Sequence, residues 1–123
     1  MELRLVLTVN DFDAAVSLYR DTLGMKELPA YESEGGRIAL LDAGGATLEL
    51  IDEAQAAAID EIEVGRRVAG PVRIALQVDD SAEMAERTGL RTIAGPMETP
   101  WRDLNVRLDG PAGVQLTLFS PVD

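Results

Sequence analysis

Arg4 and Arg73 stand at the same place in two near copies of one short segment. Arg4-Leu5-Val6-Leu7-Thr8-Val9-Asn10-Asp11 returns as Arg73-Ile74-Ala75-Leu76-Gln77-Val78-Asp79-Asp80. A second correspondence links Leu48-Glu49-Leu50-Ile51, which follows Asp42-Ala43-Gly44-Gly45, to Leu116-Thr117-Leu118-Phe119, which follows Asp109-Gly110-Pro111-Ala112-Gly113. Strand alternation groups Arg4 with Val6 and Thr8, Arg73 with Ala75 and Gln77, Glu49 with Thr47 and Ile51, and Thr117 with Gln115 and Phe119, all facing one enclosed side. Two guanidinium groups around one carboxylate form planar, charge-assisted hydrogen bonds and leave roughly one positive charge uncompensated. Three uses stay open. Arg4 and Glu49 are an ion pair that only holds structure, or the spare arginine recognises an anionic or carbonyl group of a ligand, or the arginines run out to solvent without partners. Glu49, facing cations, is expected to have a depressed pKa and to be a feeble base, so no usual general base or activated nucleophile is visible. Replacing it by Gln is expected to weaken the fold moderately.

Composition removes most other chemistry. The 123 residues contain no cysteine and no histidine, which excludes disulfides, thiol nucleophiles, Cys/His zinc sites and the common neutral-pH proton shuttle. The length fits one domain built of two modules too small to stand alone. A formal charge of −11 speaks against nucleic acid, whose phosphates need a basic surface. No apolar run is long enough for a membrane span and no leader opens the chain, so a soluble cytoplasmic protein without membrane contact is expected.

The elements that must position these residues follow from periodicity. Residues 3–9 alternate as a strand whose Leu3, Leu5, Leu7 and Val9 face must be covered, the cover being the next segment. That segment is a helix capped by Asn10 or Asp11, with Phe12, Ala15, Val16, Tyr19 and Leu23 at helical spacing and Gly24 as its left-handed stop. Strands are expected near Glu27–Ser33, at Arg37–Asp42 and at Thr47–Ile51, the last two joined by a Gly44-Gly45 hairpin turn. The alanine-rich, acidic stretch from Glu53 reads as a short helix followed by a linker, with Arg66 and Arg67 as solvated charges. The second half repeats the order: strand Val72–Val78, a helix capped at Asp80/Ser81 and stopped by Gly89, then strands near Leu90–Ile93, Leu104–Leu108 and Val114–Phe119. Gly95-Pro96-Met97-Glu98-Thr99-Pro100-Trp101-Arg102 is too rich in turn residues to be regular. Its Trp101, Arg102 and Met97, with Tyr31, are candidates to stack on a planar ligand at a cavity mouth. The chain thus divides into a module at 1–52, a linker at 53–71 and a module at 72–123.

With Thr8-Val9-Asn10-Asp11 leading to Tyr19-Arg20-Asp21-Thr22-Leu23-Gly24-Met25, the Leu48-Glu49-Leu50 strand, Ile74 to Asp80, and Leu108-Asp109-Gly110-Pro111-Ala112-Gly113, the chain resembles the vicinal oxygen chelate superfamily of glyoxalases, bleomycin-resistance proteins and ring-cleavage dioxygenases. The resemblance implies an α+β fold of two tandem βαβββ modules, whose curled eight-stranded mixed sheet encloses a cavity and is commonly completed by dimerisation, within one chain or by exchange between two. Metal-dependent members of that family place a His or Gln on the first strand and a Glu on the last strand of each module, positions that fall on Arg4, Glu49, Arg73 and Thr117. An arginine has no lone pair to give and repels the ion, so no metal and no other cofactor is expected.

The expected function is therefore metal-independent binding of a small organic molecule, an antibiotic or toxic metabolite sequestered by a homodimer, with Arg4, Glu49, Arg73, Thr117, Gln77, Trp101 and Arg102 as ligand-binding residues. Metal-free relatives of the bleomycin-resistance branch bind cationic antibiotics in an acidic groove. Two alternatives stand beside it: a lyase, isomerase or dioxygenase acting on a small chelating substrate, and an accessory protein whose cavity is filled by its own side chains.

Overall fold

The computed structural model describes residues 1–31 and 35–122. Its elements run β1 (Leu3–Thr8), α1 (Phe12–Val16), a π-helical turn (Ser17–Thr22), β2 (Lys26–Leu28), β3 (Ile38–Asp42), β4 (Thr47–Ile51), α2 (Glu53–Glu63), β5 (Val72–Gln77), α3 (Ser81–Thr88), β6 (Thr92–Glu98), β7 (Asp103–Asp109), a short 3₁₀ turn (Pro111–Gly113) and β8 (Gln115–Pro121). The eight strands form one open mixed sheet in the order β2-β3-β4-β1-β5-β8-β7-β6. β1 pairs parallel with β4 and β5 parallel with β8, while β1 and β5 meet antiparallel at the centre. The βαβββ order expected of each half is present, and α2 stands between them. The expected strand near Glu27–Ser33 is shorter, and its last two residues lie outside the described residues.

Caps form where short polar side chains precede apolar spacing. The Asp11 carboxylate accepts the Ala14 N–H at 3.0 Å and Asp80 accepts that of Glu83 at 3.1 Å, each satisfying an orphan donor of a first turn. The first helix departs from expectation after Val16. The π turn inserts an extra residue per turn, so Tyr19 still packs with Val16 and Leu48, but Leu23 swings out and is exposed.

Two further expectations are overturned. The Leu3/Leu5/Leu7 face is not the better-covered side of β1: α1 reaches only its Leu7 and Val9 end, and Leu3 and Leu5 remain exposed. The opposite face is the buried one, because α2 lies against it. Val6 packs with Ile51, Ala56, Ile59, Ala75 and Phe119. Likewise the stretch from Gly95 is not irregular throughout, since β6 continues through Gly95-Pro96 to Glu98. It is the sheet's edge strand and breaks register twice against β7, so the missing proline N–H interrupts no second ladder. Gly95, at φ 98°, has no room for a side chain because the Asn105 carbonyl lies against it.

The linker is held more tightly than a chain of solvated charges would be. Arg107 of β7, with no exposed side-chain surface, donates to Asp60 Oδ1 at 2.8 Å and to Glu63 Oε1 at 2.9 Å on α2. Asp60 Oδ2 accepts the backbone N–H groups of Val68 and Ala69 and a guanidinium N–H of Arg67, which also bonds Glu53. Arg67 is thus a structural partner, contrary to expectation. Gly36 completes the dock, since any side chain there would collide with the start of α2.

Burial by itself would raise the Asp60 pKa, but the Ala69 and Val68 N–H groups and Arg107 together hold it below the ordinary aspartate value. A lowered folded pKa contributes stability that is present above the unfolded value, about 3.9, and is lost as pH falls through the folded value. Asp60→Asn leaves Arg107 with Glu63 as its remaining carboxylate and should cost about 1–3 kcal/mol in urea denaturation at pH 7. The difference from the parent protein should shrink below pH 4.

Candidate functional site

Adjacent strands bring one row of side chains across the concave face. Leu40, Glu49, Val6, Arg73 and Gln115 are successive register partners on β3, β4, β1, β5 and β8. A second row runs Thr47, Arg4, Ala75, Thr117 and Arg107. The repeat-matched residues therefore do share one face, arranged about the central β1/β5 pair. With strands about 4.8 Å apart, Glu49 and Arg73 stand two strands from each other, roughly 10 Å between Cα atoms, with Val6 between them.

Among the described residues, these rows and α2 line a solvent-open cavity of about 90 Å³, bounded by Arg4, Val6, Glu49, Arg73 and Thr117 from the sheet and by Gln55, Ile59 and Glu63 from the helix. Tyr31 and Trp101 lie on its solvent side, their ring centroids 5.5 Å apart and tilted by 50°. Four of the expected site residues and both expected aromatics are thus brought together. Gln77 and Arg102 are not. Gln77 lies at a separate surface hollow with Met1 and Pro121, and Arg102 is exposed and pairs with Glu98 at 3.4 Å. Met97, on edge strand β6, is also exposed and away from the cavity.

The expected cluster of two guanidinium groups on one carboxylate resolves into two separate pairs. Arg4 holds Glu2 at 2.9 Å, reaches Glu49 only at 3.8 Å, and lies 5.3 Å from the Phe119 ring centre. Arg73 donates to Thr117 Oγ1 at 2.7 Å and has no carboxylate oxygen within 4.0 Å among the described residues. Its side chain is buried, with only 6 % of the residue exposed. Burial, and then the neighbouring Arg107 charge, push its pKa down, opposed by Glu63 and Glu49. A guanidinium carries five N–H donors, and among the described residues Arg73 makes one hydrogen bond.

Glu49 reverses an expectation. Burial raises its pKa, and the attraction of Arg73 and then Arg4 does not offset this. The group is a better proton acceptor than an exposed carboxylate in an ion pair, because burial outweighs the pull of Arg73 and of Arg4 at 3.8 Å. Asp103, also at the cavity, is shifted upward by burial despite Arg4.

Sequence reasoning missed the helical wall and β7. Gln55, Ile59 and Glu63 follow an i, i+4, i+8 spacing that marks one helix face, and Asp103, Asn105 and Arg107 alternate on β7. Both signals were present in the chain, but an acidic helix in a linker reads as solvated. Asn105 Nδ2 donates to Glu63 Oε2 at 3.1 Å, while Asn105 Oδ1 and Arg107 Nε are buried without a hydrogen-bond partner among the described residues.

A family model of the Glyoxalase/Bleomycin resistance protein/Dioxygenase superfamily matches residues 3–118. The chain belongs to that superfamily. No curated protein matches it by sequence. Among solved structures it is similar to a superfamily member from Vibrio splendidus 12B01, at 14% identity over 97% of each chain with a TM-score of 0.64. It is also similar to the methylmalonyl-CoA epimerase of Mycobacterium tuberculosis, at 22% identity over 98% of this chain and 87% of that one with a TM-score of 0.67. A variant of the Streptomyces coelicolor methylmalonyl-CoA epimerase in complex with 2-nitronate-propionyl-CoA gives 24% identity, coverage of 98% and 96%, and a TM-score of 0.65. These likenesses establish the shared fold.

The metal that many members of the superfamily hold does not fit these residues. The four corresponding positions supply two cations, one carboxylate and one hydroxyl that already accepts from Arg73. Among the described residues no group of three acidic, His or Cys side chains could hold an ion.

Because the Glu49 pKa is raised, its charge opposes folding as pH rises. Its contribution is fully favourable only below the unfolded value, about 4.3, and is lost as pH climbs through the folded value. Glu49→Gln should therefore match or exceed the parent stability at pH 7.5, with the difference vanishing near pH 4 in paired urea titrations. A variant less stable than the parent at pH 7.5 would mean that the arginines do compensate the charge.

Proposed function

We propose that the protein binds a small organic molecule without a metal, through a carboxylate or carbonyl oxygen held by Arg73. The observation that carries this is the buried Arg73 guanidinium, which among the described residues has one hydrogen bond and no carboxylate oxygen within 4.0 Å. Leaving such a group unpaired is costly, and an oxygen acceptor entering the cavity would relieve it. Tyr31 and Trp101 supply aromatic faces at the entrance.

Sequestration of a bulky antibiotic is less well supported than binding of a small metabolite. A volume of about 90 Å³ is far below the roughly 300–1,000 Å³ of drug-sized sites. The accessory reading gains from α2, which fills much of the concave face, yet the corner beside Arg73 stays open.

A second reading is acid–base catalysis, favoured by the raised Glu49 pKa across the cavity from a cation that could stabilise a developing oxyanion. The superfamily contains enzymes, and the epimerases above share this fold. Solvent deuterium appearing at a carbon next to a ligand carbonyl, and lost in Glu49→Gln, would establish it over simple binding.

The reading also takes the protein to be a cytoplasmic homodimer that avoids nucleic acid and membranes. The charge of −11 agrees with avoidance of nucleic acid. No helix among the described residues is long and apolar enough to cross a membrane. Leu3, Leu5 and Val72, exposed on the outer face of the central strands, offer apolar surface for a second copy, and native mass spectrometry reads the resulting mass.

A thermal-shift screen of small carboxylates and carbonyl compounds against the parent protein and Arg73→Met tests the binding proposal. Ligands should stabilise the parent and quench or shift Trp101 emission. Arg73→Met should fold at least as well and bind about 10- to 100-fold more weakly, the loss of one or more charge-assisted hydrogen bonds. Equal shifts in both proteins, or stoichiometric transfer of a divalent metal to Glu49, would overturn it.

A further inference from the structure

Two buried side chains of opposite charge line this cavity, and neither has a close partner of its own. Among the described residues Arg73 makes one hydrogen bond, to Thr117. Glu49 is 7 % exposed, accepts no hydrogen bond among the described residues, and has Arg4 at 3.8 Å as its one ion pair. Arg4 is itself drawn off by Glu2 at 2.9 Å. The other buried carboxylate of the lining, Glu63, is held by Arg107 and Asn105, and Asp103 is only partly buried.

The strands keep the cation and the carboxylate from answering each other. Arg73 and Glu49 are the register partners of Val6 on its two sides, so an apolar side chain stands between them. Arg73 then leans toward β8, where Thr117 Oγ1 accepts from it at 2.7 Å, and away from β4, which carries Glu49. Roughly 10 Å separates their Cα atoms, so a chain of a few atoms bridges the two side chains. A plain carboxylate entering here would satisfy Arg73 and bring a second negative charge beside Glu49, and an amine would do the reverse. A molecule carrying both charges satisfies both ends and adds no net charge to a site where an unpaired charge is costly.

We propose that this cavity takes a short amino acid in its zwitterionic form, with the carboxylate on Arg73, the ammonium on Glu49 and the carbon chain between them over Val6. This rests on the reading that Arg73 holds an oxygen group of the ligand, and adds the ligand's second charged group and the residue that receives it.

The test is isothermal titration calorimetry of the full chain with glycine, β-alanine and 4-aminobutyrate, each set against the acid of similar shape that lacks the amine: propionate, butyrate and pentanoate. The parent should bind at least one amino acid about 10-fold or more tightly than its matching acid, the worth of a charge-assisted hydrogen bond. Glu49→Gln should reduce that preference and Glu49→Leu abolish it, while both bind the plain acids more tightly than the parent does. Glu49→Gln makes the smaller change and carries the test if Glu49→Leu does not fold. Asp103→Asn should leave the preference in place, and Arg73→Met should lose acids and amino acids alike. A parent that binds no amino acid, or none better than its matching acid, would overturn the zwitterion, as would a preference that survives removal of the Glu49 charge or disappears in Asp103→Asn. In each case acid binding that is lost in Arg73→Met would leave Arg73 as the anchor, and acid binding undiminished in Arg73→Met would overturn that reading as well.

Discussion

Arg107 is the constraint on which the rest of the structure depends. A guanidinium with no exposed surface is tolerated only when its charge is matched, and here both matching carboxylates come from α2. The pairing fixes the helix against β7, and Asp60 then ties down the backbone of Val68 and Ala69, where the chain leaves α2 for β5. What would otherwise be a covalent tether between two modules becomes one wall of the cavity. The cost of burying these charges is offset by several hydrogen bonds to Asp60, so the helix is held by a network whose members cannot be removed singly without stranding another.

That wall breaks the symmetry of the repeat. Arg4 and Arg73 begin as equivalents, yet α2 lies across both modules with its C-terminal end on β7, where Glu63 is taken by Arg107 and Asn105. Arg4 lies nearer solvent, where Glu2 can reach it, and so acquires a partner. Arg73, at the cavity, bonds Thr117 and has no carboxylate oxygen within 4.0 Å among the described residues. Glu49 cannot fill the role because Val6 separates the two on the sheet, and a carboxylate that does not make close contact with a cation gains too little to offset desolvation. The unpaired cation and the reluctant carboxylate thus have one origin, the spacing of strands in the register row.

Much of this was legible in the chain. The strand at Arg4 and its copy at Arg73, the Asp11 and Asp80 caps and the Gly44 turn follow from local rules that tertiary structure had no reason to override. The shared face of Arg4, Glu49, Arg73 and Thr117 followed from alternation and the repeat. The contacts between them did not, because strand order decides which residues of a face are neighbours, and placing Val6 between Glu49 and Arg73 is a fact of topology. The role of α2 was hidden for a different reason. Asp60 and Glu63 look solvated in an acidic helix, and only the alternation of Asn105 and Arg107 on a distant strand supplies the partners that draw them inward. The β1 face was misjudged for the same cause, since the cover over Val6 comes from α2, expected as a helix but not as cover for the sheet, and not from α1.

The substitutions at the superfamily's metal positions change what the cavity asks of a ligand. A site that holds a metal ion surrounds it with lone pairs, and the ion then accepts the ligand's oxygens. Here the protein itself presents N–H donors where lone pairs would stand, and in the binding proposed above a ligand's oxygens would be met directly by Arg73. A guanidinium differs from an ion in two respects that matter. Its charge is spread over a plane, which selects planar acceptors, and it needs no carboxylate ligands to hold it in place. Glu49 is thereby released from any coordinating duty while remaining in the cavity with a raised pKa. The same replacement leaves in the cavity a carboxylate whose pKa burial raises, which is why binding and acid–base chemistry are neighbouring readings of one arrangement and not competing descriptions of different sites.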